Sequence, residues 1–359
     1  MTQASTDILK NLFPENENLD QVQALLSSGK PVHVYDTVVP DGKITFSETV
    51  RKAHDLKTLV ALGCTITLSV GDWISSLMKL CGGNLEKIRS VANYYIETLK
   101  SLGVPFGEKV QLIWTKEEFG DKAKYWEQVL FVSQCFSATT LKNISRDLLG
   151  LKDGDLCASH IMLPCMHCAN MIFGVPQDIT IPTFQRSLPD IVLLSPEHTQ
   201  IAAVMTEYCQ IKKIKVPLFL KESSVKSLAG PAQVEKKSIL ASTVFIDDTP
   251  DQIKKKITKA FFDPKLPFEE QSSLFNWISV LILPLAGSIK ISDKEYKTLD
   301  EIRVDLESGA VQLGQFKTSV SEALTGLLQP VHQAFSADPL KQLQTDSITF
   351  LTERPKKAK

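Results

Sequence analysis

Two stretches of this sequence carry residue types whose spacing could do chemistry. Cys165-Met-His-Cys168 is a C-x-x-C pair. A zinc site needs four ligands, and no second C-x-x-C follows at a suitable distance. A redox pair needs an exposed thiol at a helix start, whereas this one sits inside the apolar run Ile161–Phe173. Those neighbours favour two core cysteines. The second stretch is Lys254-Lys-Lys256, followed by Lys259. A lysine run on a helix is usually a solvated face; its sharper reading is a stripe that contacts phosphates. No G-x-G-x-x-G, G-x-x-x-x-G-K-[ST] or G-x-S-x-G occurs, so an ordinary dinucleotide or P-loop domain is not expected. The six histidines are scattered and none is spaced for a zinc protease. His33 alternates in a strand pattern and reads as structural, while His54 and His332 read as surface residues of helices. No metal site is expected.

The elements that must position such residues are legible as a change of period. Short apolar, β-branched runs recur at Val32–Val38, Thr65–Val70, Val110–Thr115, Asp190–Leu194 and Val216–Leu220. Helical patterns lie between them at Phe46–Leu62, Leu85–Leu102 and Lys124–Asp147. Apolar strands separated by helices predict a parallel sheet covered on both faces. Such a sheet binds ligands at the carboxyl ends of its strands, where the strand order reverses. From Thr249 the pattern is helical, with loops expected near Pro264–Pro267 and Pro284–Ser292, and amphipathic helices at Leu299–Leu306 and Thr318–Phe335. The basic tail Arg354–Lys359 is expected to fray.

Composition bounds the partners. The chain has 359 residues, 43% apolar and 23% charged, which excludes disorder, collagen and a disulfide scaffold. A formal charge of −1 excludes a globally basic nucleic-acid binder, though not a local basic face. Seven cysteines, mostly inside apolar runs, read as reduced thiols. The polar N-terminus has no signal-peptide core, and no apolar run reaches the ~18 residues of a membrane span. A cytoplasmic protein without a membrane partner is the expectation.

Several segments, in order, resemble tyrosyl-tRNA synthetase of the eukaryotic plant and protist type. Leu62–Trp73 is similar to that family's second strand and Ala-Asp-Trp turn. Gly82-Gly-Asn-Leu-Glu-Lys-Ile-Arg89 is similar to its Gly-Gly-(Asp/Glu)-Leu-Glu-Lys-Ile-Arg, and Leu163-Pro-Cys-Met-His-Cys-Ala-Asn170 to its Tyr-Pro-x-Met-Gln-Cys-Ala-Asp helix. Asp190 to Asp248 runs over the segment ending in the family's KMSKS loop, and Ile253–Phe261 resembles the helix after it. Ser308-Gly309, Gly314, Lys317 and Leu328-Gln-Pro-Val331 resemble the C-terminal domain. The resemblance implies an α/β fold: a Rossmann-like parallel sheet over 1–243, then a helical anticodon-binding-type domain over 244–359. It also implies a class I ligase that activates tyrosine with ATP and transfers it to tRNA-Tyr, working as a dimer that shares one tRNA.

The family's signature loops are altered here. Its first grips phosphate with a His-containing motif at a helix N-terminus, after Pro-[ST]-Gly. In Pro40–Thr49, Gly42 is kept, Thr45 stands where the first His belongs and Thr49 where the final Gly belongs. Thr45-Phe-Ser-Glu48 fits a capping box, so a hydroxyl and a carboxylate are expected to occupy amides that would otherwise face phosphate. In the KMSKS register, Val234-Glu-Lys-Lys-Ser238 keeps Lys237 and Ser238 but not the first Lys or the Met. Of the tyrosine pocket, Tyr35 and Asp72 match. Leu163 and His167 replace ammonium ligands, Asn170 replaces the Asp that accepts the phenol hydrogen, and Glu197-His198 replaces Asp-Gln on the nucleotide side. A stretch over 174–188 reads as an insert that could cover the mouth. Lys254, Lys255, Lys256 and Lys317 are the candidate tRNA contacts.

A hydrogen bond to a charged group contributes roughly 1.5–3 kcal/mol, and about 1.4 kcal/mol is tenfold in rate. Losing the His, the first Lys and two ammonium ligands predicts a loss on the order of 10⁴-fold or more. The resulting expectation is a pseudo-synthetase that needs no cofactor and handles tRNA as a homodimer or beside an active synthetase. The alternatives are an active tyrosine–tRNA ligase using ATP and Mg, and an interaction module without RNA.

Overall fold

In the computed structural model the described residues are 3–40, 42–119, 123–152, 154, 156–173, 188–237 and 239–352, the side chains of 3–7 and 197 excepted. Helices α1 (Gln3–Leu12) and α2 (Leu19–Ser27) precede β1 (His33–Val38), α3 (Phe46–Ala61), β2 (Thr65–Val70), α4 (Asp72–Leu77), α5 (Leu85–Ser101) and β3 (Val110–Trp114). Then come α6 (Thr115–Phe119), α7 (Ala123–Ser133), α8 (Ala138–Leu149), α9 (Ala158–Phe173), β4 (Ile191–Leu194), α10 (Thr199–Lys212) and β5 (Leu218–Lys221). All five strands are parallel, in the order β3-β2-β1-β4-β5. They fall on the five runs that the sequence marks as strands. The order reverses between β1 and β4, so their carboxyl ends form the crevice where this architecture binds ligands. His33 is structural, as expected: its ring nitrogens lie 3.2 Å from Thr65 Oγ1 and 3.1 Å from Thr67 Oγ1, tying β1 to β2.

The edge of β5 is covered by the turn between α1 and α2. Asn16 Nδ2 donates to Lys221 O and Lys221 N to Asn16 Oδ1, both at 2.8 Å, which blunts an otherwise open ladder. The helix expected over Lys124–Asp147 is two helices, α7 and α8. Ser137 starts the second by accepting from Thr140 N at 3.0 Å.

Past β5, α11 (Pro250–Thr258), α12 (Phe268–Gln271), α13 (Ser273–Trp277), α14 (Leu283–Ala286), α15 (Leu299–Glu307), α16 (Leu313–Ala334) and α17 (Leu340–Thr352) dominate. A π turn at Ile278–Ile282 joins α13 to α14, where Pro284 cannot donate to the ladder. The expected loop at Pro284–Ser292 is instead partly a hairpin, β6 (Ile289–Ile291) with β7 (Lys294–Tyr296). One hydrophobic cluster runs from Leu9 in α1 to Phe335 after α16, crossing residue 243 without a break. A second lies under α7, α9 and α10 and includes Tyr35, Cys165 and Cys168. The C-x-x-C pair is thus core, as its neighbours indicated. Helix α17 returns to α5: Gln344 Nε2 donates to Tyr94 Oη at 2.8 Å and Ser347 Oγ to Ser90 O at 3.1 Å.

Candidate functional site

The N-terminus of α3 lies at the sheet crevice, and two of its opening amides, Phe46 N and Glu48 N, are engaged. Phe46 N donates to Val244 O at 2.8 Å, Glu48 N to Thr45 Oγ1 at 3.4 Å, and Thr49 N to Thr45 O at 3.3 Å. Thr49 Oγ1 also returns to Thr45 O, at 2.8 Å. Thr45 is therefore the cap that the sequence predicts. The reciprocal half of the capping box is corrected: Glu48 Oε2 turns to Lys237 Nζ at 2.8 Å. A full positive charge outbids a backbone N–H for a carboxylate. Burial opposes the charge on Glu48, but Lys237 outweighs it and holds the carboxyl below its ordinary value.

The loop carrying Lys237 is sewn to the same helix. Glu235 accepts from Ser47 Oγ through one oxygen and from Val244 N, at 3.2 Å, through the other. Burial pushes Glu235 up to about 7, against those two bonds. Glu235 N donates to Val225 O at 3.0 Å and Thr243 Oγ1 to Lys236 O at 2.8 Å, closing the loop on itself. Beside it opens a cavity of about 630 Å³ lined by Thr45, Glu48, Ser195, Glu222, Ser224 and Lys237, among others. Gly42 lines a small recess behind it, with Tyr95 and Lys237. His198 Nδ1 lies 2.8 Å from Ser195 Oγ. Ser238 and the Glu197 side chain fall outside the described residues, as does the expected insert apart from Leu188.

Under α3 is a charge cluster that the sequence reading did not single out. Lys52 Nζ lies 2.7 Å from Asp36 Oδ2 and 2.8 Å from Glu222 Oε1, and all three side chains are buried. Burial works against the Lys52 ammonium, yet Asp36 and Glu222 outweigh it and hold it well above its ordinary value. Next to it, Arg51 Nε lies 3.4 Å from Asp55 Oδ2, and Arg51 also donates to Leu12 O and to Ser223 O. Burial pushes Asp36 up to about 6 and Asp55 to about 7. The signal available in the sequence was Asp36, a carboxylate in the middle of the run Val32–Val38.

The expected tyrosine-pocket positions are brought together at the ends of β1 and β2 and on α9. Asp72 Oδ1 accepts from Trp73 N at 2.8 Å and Lys116 N at 3.1 Å. Tyr125 Oη donates to Asn170 Oδ1 at 2.8 Å. Ser69 and Thr37 stand beside the Tyr35 phenol without the geometry of a hydrogen bond. Burial pushes that phenol up to about 12. The His167 ring lies 5.3 Å from that of His198, tilted by 47°, and burial, with His198 adding to it, pushes the His167 imidazole well below its ordinary value. Leu163 is buried on the same helix.

The lysine candidates separate. Lys254 and Lys255 are exposed on α11. Lys256 pairs with Asp248 at 2.5 Å and lies over the Phe245 ring. Lys317 donates to Thr258 O at 3.0 Å and Ala260 O at 2.7 Å, closing the C-terminal end of α11. Two of the four are thus spent within the chain.

No protein-family model matches the sequence. It is 28% identical to tyrosine–tRNA ligase 1, cytoplasmic, of Arabidopsis thaliana, over 95% of this chain and 88% of that protein. It is 26% identical to tyrosine–tRNA ligase 2, cytoplasmic, of the same plant, spanning 43% of that longer protein. Among solved structures, tyrosyl-tRNA synthetase of Aeropyrum pernix superposes with a TM-score of 0.81 at 20% identity, over 98% of this chain and 99% of that one. The Leishmania major tyrosyl-tRNA synthetase in complex with tyrosinol gives 0.83 at 23%, over 100% of this chain but 54% of that one.

Proposed function

The chain is tyrosyl-tRNA synthetase-like in sequence and in fold, and from that premise we propose that it handles tRNA-Tyr without forming tyrosyl-adenylate. The observation that carries this reading is the engaged N-terminus of α3. Adenylate chemistry on this architecture needs helix-start amides and mobile cations aimed at the developing phosphate charge. Here Val244 O and Thr45 Oγ1 occupy two of those amides, Phe46 N and Glu48 N. Glu48 neutralises Lys237, and Glu235 fastens the loop to Ser47. The chain then acts as a homodimer or beside an active synthetase in the cytoplasm, offering Lys254 and Lys255 to the RNA backbone. Among the described residues no helix is long and apolar enough to cross a membrane.

Two measurements on the purified chain test this. Tyrosine-dependent ATP–pyrophosphate exchange at high protein concentration is expected to stay at background; clear exchange overturns the inactive reading. tRNA-Tyr binding is expected to weaken steeply with salt. Replacing Lys254 and Lys255 by Ala should flatten that slope by about 2, near one counterion per phosphate contact. Binding indifferent to salt and to both lysines removes RNA handling and leaves a protein-interaction module. One observation favours a second reading, an active ligase using ATP and Mg: the cavity beside Thr45 and Lys237 is open. The exchange assay decides between the two.

A further inference from the structure

Glu235 stands where the KMSKS motif has its Met, and a carboxyl can carry a proton as a thioether cannot. Its side chain turns inward. One carboxyl oxygen meets Ser47 Oγ, and the other accepts from Val244 N at 3.2 Å. Ser47 is 7% exposed and Val244 is fully buried. A single carboxyl group thus bridges α3 and the segment that leads into α11.

This bridge suits the neutral acid. As an acid, Glu235 gives its O–H to Ser47 Oγ and still accepts from Val244 N, so neither bond is lost. As a carboxylate it is an anion kept from water and held by two uncharged donors. The next side chain along α3, Glu48, is a second carboxylate, and its ammonium partner is Lys237 at 2.8 Å. Burial raises Glu235 to about 7 against the bonds from Ser47 and Val244; the nearby Glu48 raises it further and Lys237 lowers it. Lys52 and His198 also act on Glu48 and favour its charged form. Burial pushes Tyr95 of α5, near Glu48 and Lys237, well above its ordinary value, so its phenol stays neutral.

We propose that Glu235 is a proton-operated latch: as the acid it bolts its loop to α3, and when the proton leaves to water the loop lifts from the mouth of the cavity beside Thr45. Ser47, Val234, Glu235 and Lys237 all line that cavity, so the lift widens it on one side. In the lifted loop Glu235 meets water and takes an ordinary carboxylate value, roughly 4.3. A raised value in the closed form means that closure is fully favoured in acid and is lost as pH rises through about 7. The closed population falls by up to about tenfold per pH unit across that window and changes no further above it. The latch stands on Glu235, Ser47, Val244 and Glu48, whether or not the chain forms adenylate.

Hydrogen exchange of the full chain between about pH 5 and 8 tests it, with rates corrected for the intrinsic pH dependence of amide exchange. The readouts are the amides of Glu235, bonded to Val225 O at 3.0 Å, and of Val244, bonded to Glu235 itself. Protection at both is expected to fall roughly 50-fold over that range. Asp36 and Asp55, under α3, titrate in the same range, and Glu235→Gln separates them from the latch. Its amide makes both bonds at every pH while the two aspartates stay in place. Protection in Glu235→Gln is expected to stay level and, at the alkaline end, to exceed that of the parent by about tenfold or more. In the unsubstituted chain the Glu235 carboxyl carbon, followed by NMR, should titrate near neutrality. A carboxyl that titrates at the ordinary value, protection indifferent to pH, or an equal fall in Glu235→Gln overturns the latch. Pyrophosphate exchange enters none of these readings, so the latch and the inactive reading fail separately.

Discussion

Lys52 sits where α3 meets the sheet, with Asp36 on one side and Glu222 on the other. The ammonium compensates two carboxylates that have lost their water. Removing it leaves two like charges buried together. Lys52→Met is therefore expected to destabilise the chain by about 3–5 kcal/mol in urea unfolding. Asp55 gives a titration that can be followed. Burial raises its folded-state value to about 7, above the unfolded carboxylate, and Arg51 only partly offsets this. Between those two values the native chain holds a proton that the unfolded chain has released. The contribution is complete in acid and is lost as pH rises through about 7. Asp55→Asn should flatten the pH dependence of the melting temperature between about pH 4 and 7, a change on the order of 4 kcal/mol at about 1.4 kcal/mol per pH unit. Little of this network was legible in the sequence. Arg51, Lys52 and Asp55 read as an ordinary polar helix face, and only contacts with β1 and with the segment after β5 show that the face is buried. By contrast, Tyr35, Asp72 and Asn170 were found as candidates because neighbouring residues keep a recognisable order.

The loop over 225–244 and the start of α3 behave as one element. Glu235 bonds Ser47 and Val244 N, Lys237 bonds Glu48, and Phe46 N reaches back to Val244 O. Glu235→Ala should free the loop without restoring chemistry. Limited proteolysis and hydrogen exchange are expected to accelerate at 234–244, while pyrophosphate exchange stays at background. Slow cleavage indistinguishable from the parent would show that the other contacts suffice. The sheet and most long helices were legible because period and β-branching survive in each segment. The hairpin β6–β7 was not: its strands are three residues each, so the alternation in Ile289-Lys290-Ile291 is too short to stand out. The role of Glu48 was half legible, since a capping pattern is local but its winning partner, Lys237, arrives from the far end of the sheet domain.

At the scale of the molecule, the two halves share one apolar core, and α17 fastens the last helix to the first half. Leu340, Leu343 and Ile348 pack on that core, and Lys87 lies over the Phe350 ring. Deleting α17 onward should lower stability by ~3 kcal/mol or more, given the apolar area it covers, and should lower both halves in a single transition by calorimetry. Two separate transitions in the intact chain would show that the shared core does not couple them. There is a consequence for synthesis. Translation delivers α5 long before its covering helix, so roughly 250 residues must leave the ribosome while Tyr94 and its neighbours stay bare on one face. Any chaperone that escorts the nascent polypeptide has a defined interval, and a defined sticky surface, to guard.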